Sequence, residues 1–78
     1  MKRPSRREMR ELAEDREKCA ARSARNAESA KAAANDPTLS ETTRKQAAAT
    51  VPIALRHAQE YREEAEALRA GRIPGEDW

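Results

Sequence analysis

The chain has 78 residues, a formal net charge of +2, 38% charged side chains and no Phe; 17 of its 29 hydrophobic residues are alanine. Such a chain can form one domain at most, near the lower size limit for a self-sufficient core. Strand-forming residues are too scarce for a sheet, and the abundance of Ala, Glu, Lys, Arg and Leu is the composition of long helices. The high charge and low aromatic content also suit a disordered chain. Alanine's helix propensity and well-placed capping residues decide for helix.

Residues 1–4 are expected to form a disordered lead. The opening "MKRPSRRE" is basic, but no apolar segment follows it, so export through a signal peptide is not expected. The first helix is predicted over residues 5–34. Pro4 cannot sit inside it, and Ser5-x-x-Glu8 has the spacing of a capping box, hydroxyl to backbone one way and carboxylate back the other. Its apolar stripe runs through Met9, Leu12, Ala13, Cys19, Ala20, Ala27, Ala30 and Ala34, with Ala13, Ala20, Ala27 and Ala34 seven residues apart.

Next comes "NDPT", where Asp36 is a strong N-cap and Pro37 a favoured first helical residue. The second helix is predicted over residues 37–70, with Ser40 as an alternative cap. Its stripe runs through Leu39, Thr43, Ala47, Val51, Ala54, Leu55, Ala58, Tyr61, Ala65 and Leu68. Pro52 must kink or break this helix, because it lacks an N–H and clashes with the Ala48 carbonyl. The stripe keeps its phase across Pro52, which favours a kinked but continuous helix. Gly71 is a natural C-cap, Pro74 prevents resumption, and residues 71–78 form a tail.

Two helices of similar length joined by a short turn define an all-α antiparallel hairpin. Folding about residues 36 and 37 places Ala20 near Ala54 and Ala27 near residues 43–47, so that alanines let the backbones approach closely. The same register places Arg10 near Glu63, Arg7 near Glu66, and Met9 and Leu12 against Tyr61, Ala65 and Leu68. Fewer than ten large apolar side chains are available to such a hairpin. Burying each contributes about 1.5–3 kcal/mol, while ordering each residue costs about 1–2 kcal/mol. Association with a second copy, a larger protein or both is therefore expected, most simply as a four-helix bundle dimer.

Candidate chemistry is sparse. His57, Glu60 and Glu64 share one side of the second helix, but the order reverses that of bundle metal sites and the register sets Arg16 opposite His57. A solvated charged face is the simpler reading, so no metal is assigned. Cys19 reads as a packed small residue, with no base placed beside it. There is no Gly-rich phosphate loop and no second His. No catalysis, cofactor or small-molecule substrate is expected. A single cysteine cannot form an internal disulfide, which suits the cytoplasm. The longest apolar stretch, "AAATVPIAL", is too short to span a bilayer.

Charge is uneven along the chain: residues 1–15 sum to +1, residues 16–56 to +4 and residues 57–78 to −3. Lys18, Arg22 and Arg25 on the first helix, with Arg44, Lys45 and Arg56 on the second, could neutralise phosphates. Trp78, with Ile73 and Tyr61, supplies candidate anchors for a partner's pocket. The sequence thus predicts a protein-interaction or assembly module, for instance a phage or accessory adaptor or inhibitor. The alternative is a nucleic-acid-binding hairpin dimer.

Overall fold

The structure, a computed structural model, describes residues 4–73 and consists of two helices, α1 (Arg6–Ala34) and α2 (Glu41–Arg69), packed as an antiparallel hairpin. Each helix is 29 residues long. The hairpin is a rod with principal extents of 53 × 21 × 17 Å. The readings made for residues 1–3 and for the tail from Pro74, Trp78 included, lie outside the described residues.

Local chemistry sets the helix ends. Ser5 caps α1, its Oγ accepting the Glu8 N–H at 3.2 Å. The Glu8 carboxylate accepts the Ser5 hydroxyl at 3.3 Å, so the two residues meet by a route other than the reciprocal backbone bond of a full capping box. At the far end Asn35 caps α1, and its Nδ2 donates to the Lys31 carbonyl at 3.0 Å.

Asp36 does not start the second helix. Its Oδ1 is taken by the Thr38 N–H at 2.9 Å and the Thr38 hydroxyl at 2.6 Å, and its carbonyl accepts the Leu39 N–H at 3.2 Å. This closes a turn around Pro37, so α2 begins at residue 41 rather than 37. Ser40 is the cap, its Oγ accepting the Thr43 N–H at 3.2 Å.

α2 runs unbroken through Pro52. Proline's fixed φ is compatible with helix, and only one backbone bond, to the Ala48 carbonyl, is forgone. The helix closes on Gly71, whose φ of 82° is a left-handed conformation that glycine adopts without steric cost. Gly71 N–H donates to the Leu68 carbonyl at 3.1 Å and Arg72 N–H to the Ala67 carbonyl at 2.8 Å, the paired bonds of a Schellman motif.

The seam between the helices follows a three-four alternation. On α1 it holds Met9, Ala13, Arg16, Ala20, Ser23, Ala27, Ala30 and Ala34, all buried or half-buried. On α2 it holds Arg44, Ala47, Val51, Ala54, Ala58, Tyr61, Ala65 and Leu68. This period of 3.5 is the coiled-coil pattern, with alanine recurring at the closest approach. Five expected stripe residues fall off the seam: Leu39 lies in the connection, Cys19 sits half-buried beside the seam, Thr43 is exposed, Leu12 is 41% exposed and Leu55 50% exposed.

The register also differs from a fold about residues 36 and 37. Met9 clusters with Ala65 and Leu68 as expected, but Ala13 joins the same cluster, about one turn further along α2 than that fold would place it. The expected Arg10–Glu63 and Arg7–Glu66 pairs are replaced. Arg7 pairs within its own helix with Glu11 at 3.4 Å, and the bridges across the hairpin are Arg16–Glu64 at 3.2 Å and Arg69–Glu17 at 2.8 Å. The cause is the six-residue connection left when the helix starts at Ser40, which slides α2 relative to α1.

Candidate interaction surface

The two flanks of the seam differ in charge. One carries Arg10, Glu17, Ala24 and Lys31 from α1 and Ala48, Leu55, Arg62 and Arg69 from α2, and the Arg69–Glu17 bridge crosses it. That bridge holds the Glu17 carboxyl below its usual range, first through the hydrogen bond from Arg69 and then through the guanidinium charge.

The other flank carries Leu12, Cys19, Asn26 and Ala33 from α1, and Thr43, Thr50, His57 and Glu64 from α2. Glu64 is the only carboxylate there, and Arg16 on the seam binds it at 3.2 Å. Ile53, 48% exposed, lies one turn from both Thr50 and His57 on this side of α2. At the open end of the flank a shallow groove of about 230 Å³ is lined by Leu12, Arg16, Glu64, Leu68 and Ile73. In a chain this rich in charge, a flank with one charged side chain beside the seam, Glu64, already paired with Arg16, is the most distinctive surface; Glu8, Asp15, Arg22 and Glu60 border it one position further out.

The proposed anchors have separate fates. Ile73 is half-buried and packs on the Met9, Ala13, Ala65 and Leu68 cluster, closing the open end. Tyr61 is half-buried on the seam. Trp78 lies outside the described residues.

The six candidate phosphate-binding residues divide among different faces. Lys18, Arg22 and Arg25 are exposed together on the outward face of α1. Arg56 is on the outward face of α2, pointing the opposite way across the rod, and Lys45 pairs with Glu41 at 3.2 Å. Arg44 is drawn into the seam, where its Nε is buried without a hydrogen-bond partner. Arg16, Ser23 and Arg44 on the seam escaped a reading by apolarity. Continuing the three-four alternation from Ala13 would have found Arg16 and Ser23, because position on the seam does not depend on side-chain type.

Charge also segregates along the rod. The turn half, residues 18–59, holds seven cationic and three anionic side chains; the open half, residues 4–17 and 60–73, holds seven and nine. Among the described residues no group of three or more His, Cys, Asp or Glu side chains is placed to hold a metal ion, and no helix is long and apolar enough to cross a membrane. No protein-family model matches the chain, and no curated protein or solved structure shows significant similarity to it.

Proposed function

We propose that this chain is a cytoplasmic protein-binding and assembly module that associates with itself, and that it acts by binding rather than by catalysis. The observation that carries this reading is the thinness of the core. Among the described residues eight apolar side chains are buried; six are alanine, and Met9 and Leu68 are the two larger ones. Burying a methyl group contributes about 0.8 kcal/mol, against about 1.5–3 kcal/mol for Leu or Met. A core of this kind is well suited to being one layer of a larger assembly. Sedimentation of the purified full chain at micromolar concentration tests it. A dimer or larger species, or a weakly helical, non-cooperative monomer that a partner orders, is the expected result. A stable monomer with a sharp cooperative melt would overturn the reading.

Lys18, Arg22 and Arg25 support a second reading, nucleic-acid binding. They share one face of α1, and no acidic residue lies between Glu17 and Glu28. On that reading duplex DNA or RNA binds with an affinity that falls steeply with salt, and Arg22→Glu with Arg25→Glu abolishes binding. Absence of wild-type binding at low salt would remove it.

A further inference from the structure

We propose that a second copy of the hairpin docks on the less charged flank with its long axis reversed, so that α1 of one copy lies antiparallel against α1 of the other. The proposal rests on the self-association argued above and adds its face and orientation.

Charge chooses the face. Docking on the Arg10, Glu17, Lys31, Arg62 and Arg69 flank would desolvate five charged side chains, and the cost of burying charge often exceeds what pairing returns. The opposite flank presents Leu12, Cys19, Asn26 and His57, with Ile53 beside them and Glu64 already bound by Arg16. Its size is sufficient. Helices of this length run about 43 Å. With a rod 17–21 Å across, the whole face, its bordering Glu8, Asp15, Arg22 and Glu60 included, offers on the order of the 800 Å² per partner found in standard interfaces.

Charge also chooses the orientation. A face-to-face pair with twofold symmetry has two arrangements. If the turn ends coincide, the two cation-rich halves, each with seven cations against three anions, lie side by side. If the axes are reversed, each cation-rich turn half lies along the anion-rich open half of the other copy. Exposed charges contribute little affinity, but like-charge juxtaposition rejects the wrong arrangement.

The two arrangements place Cys19 differently. It lies one residue from the midpoint of α1 and on the docking flank. In the reversed pair α1 meets α1, and the two Cys19 side chains meet at the twofold axis. With turn ends together α1 meets α2 of the other copy, and Cys19 faces the region of His57. The two thiols are then a bundle diagonal apart, beyond the Cα separation of at most about 7 Å that a disulfide allows.

The test is mild oxidation of the full chain, read by non-reducing gel, alongside sedimentation equilibrium. The expected result is a disulfide-linked dimer through Cys19. It should be lost in Cys19→Ser and not regained when the thiol is moved to the outward face by adding Ala32→Cys. Leu12→Glu should raise the dimer Kd at least about tenfold, whereas Leu55→Glu, equally exposed on the opposite flank, should leave it unchanged. A noncovalent dimer that Cys19 cannot lock would overturn the orientation and leave self-association standing. Weakening by Leu55→Glu instead of Leu12→Glu would overturn the face, and a monomer would overturn both.

Discussion

Ala27 is 2% exposed and sits on the seam, whereas Ala32 faces solvent on the same helix. A leucine at position 27 must spread the helices or leave its preferred rotamer, at a cost of about 1–3 kcal/mol. Ala32→Leu should be almost neutral, since leucine is nearly as good a helix former as alanine. Thermal melts at fixed protein concentration compare the two; equal melting temperatures would mean that Ala27 is not at the closest approach. Arg44 presents the opposite case. Its Nε is buried on the seam without a hydrogen-bond partner, which is costly. Arg44→Met keeps the aliphatic stem and removes the stranded donor. It should stabilise the hairpin by about 1 kcal/mol, a Tm rise of about 4–8 °C for a domain of this size. A fall in Tm would show that the guanidinium is satisfied in solution.

At the scale of the helix, Pro52 is the one residue inside α2 without an N–H to donate. It is exposed and cannot donate to the Ala48 carbonyl. The neighbouring Thr50 hydroxyl bonds the Gln46 carbonyl at 2.9 Å, one turn back. Pro52→Ala restores the missing bond without touching the seam. It should stabilise α2 by up to about 3 kcal/mol, read as a higher Tm and steeper loss of helical circular dichroism. An unchanged melt would mean that the proline is accommodated at no cost. The reason α2 tolerates it is tertiary: the seam continues in phase on both sides, through Ala47, Val51, Ala54 and Ala58.

Across the whole molecule, two carboxylates link pH to the joining of the helices. Asp36 in the turn is held below its usual range by the Thr38 hydroxyl and then the Thr38 N–H, and Glu17 by Arg69 across the hairpin. Both native values are depressed. Their stabilisation is therefore present above the unfolded-state range of about pH 4 and is lost as pH falls through it. The double variant Glu17→Gln with Asp36→Asn should melt below wild type at neutral pH, and that gap should close between about pH 5 and pH 2. A gap that persists in acid would locate the effect in shape rather than charge.

The helices, the turn between them and the alanine repeat were legible in the sequence because each depends on neighbours close in the chain. Ser5 and Gly71 act through backbone groups a few residues away, and Ala13, Ala20, Ala27 and Ala34 mark the seam by spacing alone. Two strong caps four residues apart, Asp36 and Ser40, left the start of α2 open, and that choice set the register. Only the folded hairpin decided it: Asp36 is consumed by the Thr38 turn, Ser40 begins the helix, and α2 slides by about one turn. The capture of Glu64 by Arg16 and the Arg69–Glu17 bridge follow from that register. They depend on which residues oppose one another across the seam, a relation between distant parts of the chain that local periodicity does not encode.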